Sequence, residues 1–178
     1  MTQRAPPLSA PVDARGSIAT LPRRLAGVAY EGLLLAAIVL LVGFLTLPLV
    51  SKVQHSERAI EVPPLPARAL SGCAIFAAAG LYFVWSWTSG RRTLPMKTWK
   101  LTLERVDGRP VDGKTAVTRY VAAWIGPLAS LAAYEALKPL SLPTHALWFA
   151  SINYAWALVD PDRQFLHDRI AGTRIVRR

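Results

Sequence analysis

Hydrophobic residues in this chain occur in long uninterrupted stretches rather than in the repeating pattern of an amphipathic helix. A soluble helix normally carries one polar face, whereas about 18 or more consecutive apolar residues can cross a bilayer core of roughly 30 Å. Four stretches contain no charged residue, at positions 32–50, 69–90, 120–134 and 140–159. The pattern therefore predicts an integral membrane protein rather than a soluble domain.

These stretches predict an all-α membrane fold, a four-helix transmembrane bundle. Polar, proline-rich residues 1–20 precede it and are expected to form a disordered cytoplasmic tail, so that 21–178 make up one membrane domain. Pro127 predicts a kink in the third span. The spans are expected at about 25–49, 69–88, 117–137 and 144–159.

The segment between the second and third spans has a different pattern. Residues 99–104 alternate strictly between apolar and polar side chains, which is the period of a β-strand. Asp107-Gly108 follows and is a strong signal for a two-residue hairpin turn, while Pro110 limits a returning strand to an edge. We therefore expect a small cytoplasmic β-hairpin between spans two and three. Leu101 and Leu103 should pack toward protein or membrane, and Lys100, Thr102 and Glu104 should face water.

The net charge is +10, and its distribution predicts the orientation of the chain. Seventeen of the 21 basic residues lie before the first predicted span, between the second and third, or after the fourth. Basic segments stay on the cytoplasmic side of a membrane, so both termini are expected to be cytoplasmic. Topology accounts for the positive charge, and a nucleic-acid partner is not expected. The bilayer itself is the expected partner, with anionic lipids at the cytoplasmic face.

Sequence motifs for catalysis or metal binding are missing. Cys73 is the single cysteine, which excludes an intramolecular disulfide and a site of two or more thiolates. Residues 160–168 contain three aspartates and a histidine, but their spacing does not match a metal-ligand pattern. No nucleophile motif, phosphate loop or HExxH sequence is present. We expect no enzyme activity, no catalytic residues, no cofactor and no metal site.

Glu31 is the residue most suggestive of function, because it lies about 9 Å inside the first predicted span. An ionised carboxylate at that depth costs roughly 2.5–3.5 kcal/mol and needs a partner or water. Arg24 lies two helical turns earlier on the same face, and Arg119 begins the third span. Glu31 is either an ion- or proton-binding group or one member of a structural charge cluster. The cluster would hold Arg24 and Arg119 as charge partners, together with the C-terminal carboxylates Asp160 and Asp168.

Several motifs resemble those of the RDD family of multi-pass bacterial membrane proteins, over about residues 21–176. The matching segments are Arg23-Arg24-Leu25-Ala26 with Tyr30-Glu31, residues 90–99, Asp107-Gly108-Arg109-Pro110 with Arg119, and residues 160–173. The resemblance implies a location in the bacterial inner membrane. It also implies that Arg24 is the family arginine, that Glu31 stands at the first aspartate, and that Asp168 is the second. Some members of the family are linked to cation/proton exchange.

Two functions therefore remain open. The chain is either a small transporter or ion/proton exchange subunit, or a non-transporting membrane scaffold that docks a protein partner or anionic lipid through its cytoplasmic face. Small residues at four-residue spacing let helix backbones approach closely, either within one chain or at the face of a homo-oligomer. In the third predicted span these are Ala122, Gly126 and Ser130.

Overall fold

A computed structural model of the protein describes residues 17–51 and 64–177. Residues 1–16 of the predicted tail and the proline-rich segment 52–63 lie outside the described residues. Most of the described chain is helical, with one small sheet. The helices are α1 (Leu21–Ser51), α2 (Leu65–Trp87), α3 (Leu94–Thr98), α4 (Gly113–Ala123), α5 (Ile125–Leu137), α6 (Leu147–Ala150), α7 (Ile152–Ala155) and α8 (Leu166–Ala171), and the strands are β1 (Leu101–Arg105) and β2 (Thr173–Arg177).

Two of these helices are long and apolar enough to cross a membrane, within Leu21–Pro48 and Leu65–Gly90. They contain the first two predicted spans and pack against each other. Their large apolar side chains point away from the protein: Leu40, Phe44 and Leu81 are each more than 70% exposed. An apolar surface of this extent is unfavourable in water and favourable against lipid chains, so these helices are suited to a bilayer.

The third predicted span is interrupted. Its residues form α4 and α5, which meet at Trp124, three residues before the kink expected at Pro127. The proline ring conflicts with the carbonyl of the residue four positions earlier, which is Ala123, and the ring supplies no N–H to that carbonyl. The side-chain amide of Asn153 donates to the freed Ala123 oxygen at 2.8 Å. Asn153 therefore compensates for the backbone hydrogen bond that Pro127 removes.

The fourth predicted span is a series of short pieces, α6 and α7 with single 3-10 turns at Pro143–Ala146 and Trp156–Leu158. It packs tightly against α5. A Cβ on Gly126 would lie 2.5 Å from the carbonyl oxygen of Ala150, and the Ser130 hydroxyl donates to the Ala146 oxygen at 2.9 Å. The small residues Gly126 and Ser130 thus serve packing within the chain.

The prediction of a β-hairpin between spans two and three is wrong, although the first strand and the turn of that hairpin are present. The Gly108 N–H bonds the Arg105 carbonyl at 2.9 Å, and the Arg105 N–H bonds the Arg109 carbonyl at 3.0 Å. Pro110 follows and has no N–H to continue a ladder. The free edge of β1 pairs instead with β2, antiparallel, in the register Leu101↔Arg177 to Arg105↔Thr173.

The expected exposure along β1 is half correct. Leu101 and Leu103 are buried as predicted, but Thr102 and Glu104 are buried as well. Glu104 tolerates burial because the guanidinium of Arg174, on the neighbouring strand, donates to its Oε1 at 2.7 and 2.9 Å. Neither face of the strand is therefore open to solvent over residues 101–104. The alternation of apolar and polar residues correctly predicts a strand but does not predict which side chains are exposed.

The start of the described chain also belongs to the sheet. Ile18 forms a bridge with Val176, and the Ala19 N–H donates to the Ile175 carbonyl at 3.1 Å. Residues 17–19, expected to be part of a disordered tail, are therefore ordered. A core forms where the sheet meets the ends of α1, α2 and α4, and it includes Phe83, Trp87, Leu101, Leu103, Tyr120 and Ile175.

Candidate functional site

An ion pair between α4 and α8 lies beside this core. The Nε of Arg119 donates to Oδ1 of Asp168 at 2.8 Å, and both side chains are almost fully buried. The Thr173 hydroxyl donates to the same Asp168 oxygen at 3.1 Å. The Arg119 guanidinium also lies 4.2 Å from the ring centre of Trp87, at the end of α2. The elements α2, α4, α8 and β2 thus each contribute one residue to a single buried centre around the Arg119–Asp168 ion pair.

His167, the neighbour of Asp168, contacts the same arginine. Its Nε2 lies 3.2 Å from Nη2 of Arg119. Burial lowers the pKa of His167 to about 4, and this outweighs the opposing effect of the Asp168 carboxylate. Burial alone would raise the pKa of Asp168, but the Arg119 charge and side-chain hydrogen bonds hold it below its usual value. At neutral pH the centre therefore contains a charged Arg119–Asp168 pair and a neutral imidazole.

The neutral imidazole has a defined tautomer. A guanidinium can only donate hydrogen bonds, so Nε2 of His167 must accept from Arg119. The ring proton then resides on Nδ1, which is buried and has no hydrogen-bond partner in the described part of the chain. His167 thus presents an unused N–H donor.

Arg24, near the start of α1, is 1% exposed. Its Nη2 donates to the carbonyl oxygen of Arg163, and its Nη1 lies 3.5 Å from Oε1 of Gln164. The guanidinium lies over the ring of Phe165, 5.0 Å from the centroid. These contacts fix the segment before α8 against α1. None of them is anionic, and no ion pair within 4 Å joins Arg24 to a carboxylate among residues 17–51 and 64–177.

Glu31 lies further along α1 and is partly buried. The Thr93 hydroxyl donates to its Oε1 at 2.9 Å. Thr93 is the N-cap of α3, where its side-chain oxygen also accepts from the backbone N–H of Met96 at 3.3 Å. The Thr-Leu-Pro sequence is a typical start of a helix, which places this hydroxyl on a rigid turn facing α1.

Arg24, Glu31, Arg119 and His167 line one cavity of about 310 Å³. Most of the remaining wall is apolar, contributed by side chains such as Phe83, Leu101, Tyr120 and Trp124. Three of the five sequence-predicted site residues, Arg24, Glu31 and Arg119, thus meet at this cavity. Asp168 supports it from behind through Arg119.

Asp160 takes a different position. Its Oδ2 accepts from the backbone N–H groups of Asp162 and Gln164, and its Oδ1 lies 3.1 Å from Nε of Arg169. The carboxylate therefore shapes the turn that carries Gln164 and does not line the cavity. Among the described residues, no three His, Cys, Asp or Glu side chains come together to hold a metal ion.

Three residues of the site were not predicted as site residues: Thr93, His167 and Trp87. Thr93 lies within the motif at residues 90–99, and the Thr-Leu-Pro capping signal could have indicated its position. The adjacent residues His167 and Asp168 predict no shared metal site, because neighbouring side chains on a helix diverge. Their shared partner is instead Arg119, which is distant in sequence, and no local signal indicates it.

Comparison with known proteins agrees with this arrangement of motifs. No curated protein and no solved structure matches the chain. A family model, described as RDD family, matches residues 18–172, which include β1, the buried Arg119–Asp168 ion pair and most of the residues that line the cavity. The match extends over most of the chain, and the chain therefore belongs to the RDD family.

Proposed function

We propose that this protein is a small ion or proton exchange subunit of the bacterial inner membrane, in which Glu31 takes up and releases the transported ion. One observation carries the proposal: Glu31 lines a cavity, and the side-chain group that donates a hydrogen bond to it within the described residues is the neutral hydroxyl of Thr93. No ion pair within 4 Å joins Glu31 to a basic residue in the described ranges. A carboxylate without a bound cation of its own can accept a proton or a metal cation.

The proposed topology has four spans with both ends in the cytoplasm. The sheet supports it, because Ile18, β1 and β2 are bonded together and so lie on one side of the membrane. The chain between Ile18 and β1 must then cross an even number of times, as α1 and α2 would. The chain between β1 and β2 must also cross an even number of times or not at all. The basic residues around the sheet support a cytoplasmic location for that side, because basic segments tend to stay in the cytoplasm.

Ion exchange requires a polar path from Glu31 to the outer face of the membrane, and a single chain provides little of such a path. Side chains on the far halves of α1 and α2 are largely apolar, and α5 exposes Leu128 and Leu131. We propose that the path is completed between copies of the chain, in a homo-oligomer whose interface includes these exposed residues. Cross-linking in native membranes would detect such an oligomer, and a strictly monomeric protein with full flux would contradict it.

Flux measurements test the function. The purified protein is placed in liposomes that hold a pH gradient. Addition of Na⁺ or K⁺ outside should then change the pH of the liposome lumen. Glu31→Gln keeps the size of the side chain but cannot exchange a proton, so it should abolish flux while the protein stays folded. Glu135→Gln is the matched control, because Glu135 is exposed and paired with Lys138 at 3.4 Å. Full flux from the Glu31→Gln protein would overturn the proposal.

A scaffold that docks anionic lipid is the second candidate. The surface around α3 favours it: Leu94 and Trp99 are 51% and 39% exposed, and Arg92, Lys97 and Lys100 are exposed beside them. Apolar and basic side chains on one short surface fit the interface of an anionic leaflet. Replacing the three basic residues with Gln should lower co-purification of anionic lipid without changing the melting temperature of the protein. Unchanged lipid content would remove this candidate.

A further inference from the structure

Three residues that line the cavity carry buried hydrogen-bond donors that nothing in the described chain uses. Nε of Arg24, Nε1 of Trp87 and Nδ1 of His167 are all buried and unpartnered, and all three residues line the cavity. Each residue is less than 5% exposed. An unsatisfied buried donor costs about 1–3 kcal/mol, and such groups are rare in folded proteins. Three at one cavity indicate a ligand group that accepts hydrogen bonds.

The charges around the cavity indicate that this accepting group is anionic. Asp168 compensates the charge of Arg119. Arg24 has only neutral acceptors among the described residues, the Arg163 carbonyl and the Gln164 side chain. A buried guanidinium of this kind is stabilised strongly by a carboxylate, which also accepts hydrogen bonds from neighbouring N–H donors.

Glu31 indicates that the same ligand also carries a positive charge. A simple anion would leave the Glu31 carboxylate without a directly paired cation, since Arg119 acts on it only from beyond 4 Å, and would be repelled by it. A simple cation would leave Arg24 without a directly paired carboxylate, since Asp160 and Asp168 act on it only from beyond 4 Å. The wall between them includes the rings of Phe83, Tyr120 and Trp124. These rings suit both the carbon skeleton and the ammonium group of a ligand, because a cation is attracted to an aromatic face.

The spacing along α1 limits the length of the ligand. Arg24 and Glu31 are seven residues apart on one face, which is about 10 Å along the axis. Hydrogen bonds of about 3 Å at each end leave roughly 4–5 Å between the two charges of the ligand. A γ-amino acid meets this requirement better than an α-amino acid, whose charged groups are closer together. The cavity volume is at the small end of the range for ligand pockets.

We propose that the cavity binds a small organic zwitterion, with its carboxylate at Arg24, Trp87 and His167 and its ammonium group at Glu31. The inference shares Glu31 with the exchange function but does not require flux. A protein that binds the zwitterion without moving ions would retain this site and lose only the proposed function. The reverse result would retain the exchange function alone.

Binding of matched probes to the full chain in detergent tests the proposal. The probes are 4-aminobutanoate, butanoate, butylammonium and glycine. Binding of each probe is measured by calorimetry and by the fluorescence of the cavity tryptophans. Saturable binding of 4-aminobutanoate should be about tenfold or more tighter than that of the other three. Equal or absent responses to all four probes would mean that water fills the cavity, and would overturn the proposal.

Two variants assign the ends of the ligand. Glu31→Gln should remove the preference for 4-aminobutanoate over butanoate while keeping butanoate binding. Trp87→Phe keeps the ring beside Arg119 but removes the N–H, so it should weaken both carboxylate probes by a similar factor. Glu135→Gln should bind like the parent protein. A Glu31→Gln protein that still prefers 4-aminobutanoate would overturn the assignment of the ammonium group, and with it the zwitterion.

Discussion

The Nε of Arg119 lies 2.8 Å from Oδ1 of Asp168, and the two side chains are 4% and 0% exposed. Their separation of 49 residues makes this ion pair a long-range connection between α4 and α8. Because the arginine also contacts Trp87 and His167, the pair holds the ends of α2, α4 and α8 together.

Arg119→Ala should strongly destabilise the protein, because it leaves the Asp168 carboxylate buried and uncompensated. The expected loss is about 3–5 kcal/mol, measured as thermal or denaturant unfolding in detergent. Asp168→Asn should lose less, since the amide still accepts from Thr173. Glu135→Gln removes an exposed pair and should change stability by about 0.5 kcal/mol or less. An Arg119→Ala protein as stable as that control would contradict a buried pair.

His167 predicts a loss of stability in mild acid. Its pKa is about 4 in the folded protein and 6.5 for the ordinary residue, so the unfolded chain gains a proton first as the pH falls. Stability is therefore complete above pH 6.5 and declines towards pH 4, by on the order of 3 kcal/mol. Asp168 contributes its own loss only at lower pH, because its lowered pKa keeps it ionised through this range.

Unfolding followed between pH 7 and pH 4 checks this, with His167→Gln as the test variant. Gln can still accept from Arg119 and does not titrate in this range, so the stability of the variant should fall less steeply with pH than that of the parent protein. His145→Gln, at an exposed position, should retain the slope of the parent protein. A parent protein whose stability is independent of pH over this range would refute the neutral buried imidazole.

Gly126→Ala should push α5 away from α6 and so destabilise the protein. The new Cβ would lie 2.5 Å from the Ala150 carbonyl oxygen, which is backbone and cannot rotate away. Overpacking of this kind costs about 1–3 kcal/mol. Gly72→Ala, in α2 with no atom within 4 Å of the new Cβ, should be neutral or slightly stabilising. Similar melting temperatures for the two variants would contradict the close approach.

The pairing of β1 with β2 can be tested by cross-linking. Leu103 lies opposite Ile175, and opposite residues in antiparallel strands have Cα atoms about 4.5–5.5 Å apart, within the reach of a disulfide. In a Cys73→Ser background, cysteines at 103 and 175 should cross-link under mild oxidation. Cysteines at 103 and 174 should not, because successive side chains point to opposite faces. Cross-linking of the second pair alone would mean a shifted register.

Much of the fold could be predicted because it depends on local patterns. The long uncharged stretches predict α1 and α2, and strict alternation predicts β1. The partner of β1 could not be predicted, because β2 is far away in the chain and the Asp107-Gly108 turn suggests a nearer one. Burial of Glu104 was missed for the same reason, since Arg174 arrives with β2.

The candidate site divides in the same way. Glu31, Arg24 and Arg119 are recognisable because a charge within or beside an apolar span must have a physical justification. Thr93 and Asn153 carry no charge, and their roles follow from distant backbone groups: the start of α3 in one case and the Ala123 carbonyl in the other. Neutral polar residues in such positions become informative only when the packing is known.

The closure of the small sheet has a consequence for biosynthesis. Arg174 follows its partner Glu104 by 70 residues, so at about 5–20 residues per second β1 leaves the ribosome roughly 3–15 seconds before β2. During that interval the strand edge and the Arg119 guanidinium are both without their partners. The newly made chain therefore holds α1 and α2 before its sheet can close, and until then the open edge of β1 is available to chaperones or to another nascent copy.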